Sequence, residues 1–171
     1  MVGDEDRWIQ VATRNFTLFS NASDEFAVDI GLSLESLRQV LAGLQPDRTL
    51  NSPAPTLIYV FNDRRNFEPF KPRYRGKAAN VDGQFLGDED ANLVGLGAVR
   101  GDHTHHVVYH EYLHVFTHDN MPNLPTWLDE GLAEYYSTFE FADGRVSGTK
   151  ALFDFRPSTT RGAGSDNVAF G

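Results

Sequence analysis

The chain reads as an α+β domain, a mixed sheet carrying helices, and three observations predict it. Two runs of strand length and composition, Thr56-Leu57-Ile58-Tyr59-Val60-Phe61 and Asn92-Leu93-Val94-Gly95-Leu96-Gly97-Ala98, alternate with segments of helical periodicity. A long segment, residues 22–44, carries the apolar stripe of a helix packed on a sheet. Farther on, His110-Glu111-Tyr112-Leu113-His114 is followed by the start signals of another helix at Thr126.

The elements follow in order. Within residues 8–20, Asn15-Phe16-Thr17-Leu18-Phe19 is rich in β-branched and aromatic residues and reads as a strand. In residues 22–44 the apolar positions Phe26, Ile30, Leu34, Leu37, Leu41 and Leu44 recur at threes and fours, and Gln45-Pro46-Asp47 ends the helix. The run 56–61 is apolar throughout, as an inner strand is. Asn62 or Asp63 caps a short helix reaching Phe70. Residues 71–77 hold Lys71, Arg73, Arg75 and Lys77 with Pro72 and Gly76, and read as a solvated loop. Strands are expected at 81–86 and 91–99, joined by the acidic turn Gly87-Asp88-Glu89-Asp90. A helix over 104–118 buries Val107, Val108, Tyr112, Leu113, Val115 and Phe116. Thr126 followed by Asp129 is the pattern of a capping box for the second helix. Past it, Phe139-Glu140-Phe141 and Arg145-Val146-Ser147 flank the hairpin signal Asp143-Gly144.

With 171 residues, 40% of them hydrophobic, the chain can bury a core without staples, so residues 1–155 are taken as one domain. Residues 156–171, rich in Gly, Ser and Thr, read as a tail, a lid or a linker. The 24 acidic against 15 basic side chains, net −9, argue against a nucleic-acid or anionic-membrane surface, both of which favour basic patches. The absence of cysteine excludes a thiolate metal site and cysteine catalysis. No apolar run approaches the roughly 20 residues that span a bilayer, and Met1-Val2-Gly3-Asp4-Glu5-Asp6 does not read as a signal peptide. Localisation is left open, a secreted, periplasmic or membrane-tethered setting being compatible with a removed leader.

Positions four apart on a helix share a face, so His110 and His114 can aim two imidazoles at one metal ion with Glu111 beside them. By composition H-E-x-x-H arises by chance in about one chain in a hundred, so its surroundings decide. The second helix supplies Glu130 in its first turn and Glu134 one turn on, on the same face. Two histidines, one glutamate and an open position for water form a known catalytic zinc set. His103, His105, His106 and His118 also fall in or beside this helix, but no rival pair at spacing four has Glu in second place. They are taken as solvated or supporting histidines.

Together, H-E-x-x-H and Trp127-Leu128-Asp129-Glu130-Gly131-Leu132-Ala133-Glu134-Tyr135 resemble the gluzincin clan of zinc metallopeptidases, which includes thermolysin and aminopeptidase N, and especially its smaller bacterial peptidase-MA-like domains. The specific match covers residues 106–136. The resemblance implies a zincin-like fold, Zn2+ on His110, His114 and Glu130, Glu111 as general base, and Glu134 supporting a ligand histidine. The spacing from His114 is shorter than in the best-known members and by itself favours Glu134 as ligand, whereas the Glu-Gly context favours Glu130. The resemblance further implies that the strand before the metal helix is the sheet edge above the zinc, so Leu93, Val94, Gly95, Leu96 and Gly97 would pair with an extended peptide. Aminopeptidases of the clan hold the substrate amine with a glutamate just after this strand. Gly97-Ala98-Val99-Arg100 has none, which favours an endopeptidase. A downstream Tyr, His or Arg usually steadies the carbonyl oxygen, and Tyr135, Tyr136, Arg156 and Arg161 are the candidates here.

The expected function is zinc-dependent hydrolysis of a peptide or protein substrate. Its rivals are a catalytically idle zinc-bearing module that binds extended peptides and a metallohydrolase acting on another bond. Glu111 separates them, because a purely structural site has no use for a base and would be closed by a fourth protein ligand such as His118. Oligomeric state is not legible.

Overall fold

The computed structural model describes residues 7–44, 50, 53–87, 89–98, 103–142 and 145–147. Strands β1 (Ile9–Ala12) and β2 (Phe16–Ser20) form a hairpin, then helix α1 (Asp24–Leu44) crosses to β3 (Thr56–Phe61). Helix α2 (Arg64–Phe67) runs into a 3-10 turn, Glu68–Phe70, and a small hairpin, β4 (Arg73–Tyr74) and β5 (Lys77–Ala78). After β6 (Gly83–Gly87) and β7 (Asn92–Gly97) come α3 (His103–Asn120), α4 (Thr126–Ser137) and the hairpin strands β8 (Glu140–Ala142) and β9 (Arg145–Ser147). The mixed α+β class expected from the sequence is what the molecule has.

The main sheet has the order β1-β2-β3-β7-β6, parallel through β2, β3 and β7 and antiparallel at both edges. Period-two alternation decides its faces. Phe16 and Leu18, Ile58 and Val60, and Val94 and Leu96 are buried in one core with Ile30, Leu34, Leu37 and Leu41 of α1 and Val108, Tyr112, Leu113, Val115 and Phe116 of α3. Full burial of each such side chain stabilises the fold by roughly 1.5–3 kcal/mol before conformational entropy is counted. Both long helices lie on this face and touch each other. Ser23 caps α1 by accepting from the Phe26 N–H at 3.3 Å, with Asp24 and Glu25 in the favourable first turn. On the opposite face lie the short α2, capped by Asp63, whose side chain accepts from the Asn66 N–H at 2.8 Å, and Phe70 of the 3-10 turn that follows it.

Three expectations change. The span 8–20 holds two strands rather than one, joined at Thr13, whose N–H donates to the Phe16 carbonyl. Residues 71–77 contain a hairpin turning through Arg75 and Gly76, both at positive φ, rather than a plain loop. The third change concerns the sheet edge: β7 is paired on both sides, with β3 and with β6, so its backbone groups are engaged. Leu93, Val94, Gly95, Leu96 and Gly97 therefore do not offer a peptide a free strand, and the edge is β6. The glycines of β7 serve another close approach: a Cβ at Gly97 would lie 2.8 Å from Arg64 Cα, and one at Gly95 would lie 3.2 Å from the Phe67 ring. They admit α2. Residues 156–171 and the Asp143-Gly144 turn lie outside the described residues. Among the described residues no helix is long and apolar enough to cross a membrane.

Candidate metal centre

Helix α3 is the central support of the site. Its apolar side packs into the core, which leaves His110, Glu111 and His114 only partly covered along its other side. At its end the chain turns through Asn123, at φ 69°, a left-handed conformation that Asn tolerates better than most residues. Helix α4 then packs back against α3. It begins at Thr126, as expected, but the cap is Pro125, whose carbonyl accepts from the Leu128 and Asp129 N–H groups at 2.9 and 3.0 Å, and no side chain caps it. The capping-box reading of Thr126 and Asp129 is thus corrected. Thr126 is already inside the helix, and the Asp129 carboxylate is used elsewhere.

That carboxylate holds a histidine. One Asp129 oxygen lies 2.9 Å from His114 Nδ1 and the other 2.5 Å from Thr117 Oγ1. A carboxylate facing Nδ1 fixes the proton there and leaves the Nε2 lone pair for a cation. His114 Nε2 lies 3.2 Å from His110 Nε2, and the two oxygens of Glu130 lie 3.5 Å from His110 Nε2 and 3.9 Å from His114 Nε2. A tetrahedral first-row ion held about 2.1 Å from such ligands sets them roughly 3.4 Å apart, within the range of these separations. His110, His114 and Glu130 could therefore hold a metal ion, and among the described residues they are the one such group of three or more. Two nitrogen lone pairs facing each other at this range repel unless a cation or proton lies between them. Burial and then the neighbouring His114 lower the His110 pKa, which favours the neutral imidazole a metal requires.

Glu134 stands farther back, 3.7 Å from His110 Nδ1 and 3.9 Å from His106 Nε2, with its side chain 68% exposed. It faces a ligand histidine from behind but more loosely than Asp129 does. Sequence reasoning missed Asp129 as a support because the helix-start pattern supplied a local use for it. The signal was there, since Asp129 adjoins Glu130 in the first turn of α4 and can reach back to α3.

Glu111 lies beside the ligands, in an open cleft of about 770 Å³ walled by Gln84 and Phe85 of β6 and by Met121 and Leu124 of the α3–α4 loop. Burial pushes its carboxyl up to about 7, with His114 pulling it down, Glu130 pushing it up, and a hydrogen bond from the Phe85 backbone N–H again lowering it. A dication on the neighbouring ligands would lower it further. Gly83 makes this packing possible: a Cβ there would meet Glu111 Cγ at 2.8 Å and Val107 Cγ1 at 2.7 Å.

The remaining histidines pair outside the centre. His105 meets Asp29 at 3.0 Å, His106 meets Ser137 Oγ at 3.0 Å, His103 lies 3.4 Å from Asp82, and His118 faces Asp119 at 3.0 Å. His118 lines the cleft but does not join the ligand group. Tyr135 and Tyr136 make ring contacts with each other and with Phe139 and do not line the cleft, so they are poorly placed as carbonyl donors. Arg156 and Arg161 lie outside the described residues. No family model matches this chain, and no curated protein matches it.

Proposed function

We propose that this protein is a zinc-dependent metallopeptidase, more specifically an endopeptidase of zincin-like fold. The observation that carries the reading is the convergence of His110, His114 and Glu130 at tetrahedral ligand spacing, with the non-ligand Glu111 beside them in an open cleft. A set of two neutral imidazoles and one carboxylate suits zinc, and a bound zinc ion supplies Lewis acidity that makes water a nucleophile near neutral pH. Glu111, beside the ligands in the cleft, would accept a proton from an attacking water and return it to the leaving amine. Asp129 keeps His114 in the tautomer protonated at Nδ1, whose Nε2 lone pair is free to bind a metal. The edge of β6 receives the substrate backbone as an added strand.

Strand pairing supports β6 as the peptide-binding edge. Asp82 accepts from the Gly97 N–H, so residue 82 faces β7, and alternation turns Gly83 and Phe85 outward. The bond from Phe85 N–H to the Glu111 carboxylate agrees with that orientation. A peptide on this edge would run along the cleft that Gly83, Gln84 and Phe85 line together with His110, His114 and Glu130.

The test is Glu111→Gln. With metal content equal to wild type, cleavage of any substrate found in a mixed peptide library should fall by about 10² to 10⁴, while peptide binding persists. If the wild type cleaves nothing yet both forms bind the same extended peptides, the idle zinc-bearing module replaces the enzyme.

A further inference from the structure

The segment from α2 to β5 stands apart from the rest of an acidic molecule. Residues 64–78 hold Arg64, Arg65, Lys71, Arg73, Arg75 and Lys77, six of the chain's 15 basic side chains, against the single carboxylate of Glu68. Two of the six are engaged by carboxylates, Arg64 by Asp82 and Lys71 by Glu68. Arg75 lies over the Tyr74 ring, 5.3 Å from its centroid. Arg65, Arg73 and Lys77 are exposed and have no ion-pair partner among the described residues.

Apolar groups accompany the charges. Phe70 is 61% and Tyr74 73% exposed. Phe70 packs on Phe61 at 4.9 Å between centroids, and Phe61 on Trp8 at 5.3 Å, so Phe70 continues an aromatic row along the face of the sheet away from α1 and α3, with Tyr74 four residues on in the hairpin that follows. Beside them an apolar recess of about 250 Å³ opens among Tyr59, Phe67, Leu86 and Leu93. Aromatic side chains set among Lys and Arg are the composition of surfaces that rest in a lipid headgroup layer.

We propose that residues 64–78 dock the protein on an anionic lipid surface, with Phe70 and Tyr74 entering the headgroup layer and Arg65, Arg73, Arg75 and Lys77 meeting lipid phosphates. Counted without their positions, the charges, net −9, argue against an anionic surface, but the basic residues gathered in 64–78 change that expectation. At physiological salt, charges beyond a screening length of about 8 Å count little, so the bilayer meets the local cations rather than the distant carboxylates. An acidic polypeptide would satisfy the cations but leave Phe70, Tyr74 and Leu86 in water, whereas an anionic bilayer satisfies both. The inference stands apart from the metal centre and does not depend on peptide hydrolysis.

The experiment is co-sedimentation of the full chain with phosphatidylcholine vesicles, with and without phosphatidylglycerol. Partitioning should be at least about tenfold stronger on the anionic vesicles, and each neutralised cation should weaken it about fivefold. Arg73→Glu with Lys77→Glu should abolish it. Phe70→Ser with Tyr74→Ser should weaken it while leaving its salt dependence unchanged, since these side chains carry no charge. Circular dichroism of each variant checks that the fold is retained. Equal partitioning on both vesicle types overturns the proposal, as does binding indifferent to the charge reversals. Capture by polyglutamate, lost on charge reversal, without any vesicle binding would overturn it in favour of an acidic polypeptide partner.

Discussion

Replacing Asp129 by Ala tests how the centre is built, because this residue touches a ligand and not the metal position. Its carboxylate lies 2.9 Å from His114 Nδ1, and the His114 and Asp129 side chains are 14% and 28% exposed, so water is a poor substitute for the lost acceptor. Loss of such an outer partner typically weakens metal binding about 10-fold to 100-fold, or roughly 1.4–2.7 kcal/mol. Asp129→Asn keeps an acceptor but not the charge and should fall between wild type and Asp129→Ala. The metal-free fold should change little, since the Thr117 hydroxyl lies 3.0 and 3.1 Å from the Leu113 and His114 carbonyls and can turn to them. The assay is a zinc titration against a chromophoric chelator, with the melting temperature of the metal-free protein as control. An affinity within about twofold of wild type would refute the reasoning. So would an equal loss in Glu134→Gln, whose carboxylate is more exposed and stands 3.7 Å from its histidine.

Glu130→Gln should weaken zinc binding more than Glu134→Gln, because only Glu130 belongs to the group of converging ligand atoms; a reversed order in the same titration would move the third ligand one turn along α4. Gly83→Ala should leave zinc affinity near wild type but reduce cleavage, since its Cβ would press on Glu111 at 2.8 Å; unchanged turnover at equal zinc occupancy would show that the packing is not needed. A non-cleavable peptide bound to zinc-loaded protein should shift the amide resonances of Gly83 and Phe85 more than those of Gln84 and Leu86. A pattern centred on Leu93 to Gly97 would place the peptide elsewhere.

Much of the centre was legible because its logic is local. The four-residue spacing of His110 and His114, and of Glu130 and Glu134, converts directly into shared helix faces, and the stripe from Phe26 to Leu41 does the same for α1. Strand order is not local. Nothing in Leu93 to Gly97 names its neighbours, and their assignment to the edge came from resemblance rather than from pairing. A cue existed in composition: β7 is apolar on both faces, as an inner strand is, whereas β6 carries Gln84 and ends in the exposed Leu86 and Gly87. Asp129 was misread for a related reason. A residue that can cap its own helix can equally reach a neighbouring one, and the choice depends on how α3 and α4 pack.

On the proposed peptidase reading, the edge position of β6 gives Glu111 a partner that a peptide would displace. Its carboxylate accepts a hydrogen bond from the Phe85 N–H, on the outward-facing side of β6. A peptide added as the next strand would bring a carbonyl oxygen to the same N–H, and one donor hydrogen does not serve both acceptors at full strength. Peptide pairing along β6 would therefore release Glu111 as it delivers the scissile bond to the cleft. Gly83 brings the strand down onto α3, and on that reading Phe85 would restrain the carboxylate until a peptide claimed its N–H. The arrangement gives the side chain a reason to sit under an edge strand, which a site built only to hold a metal would not need.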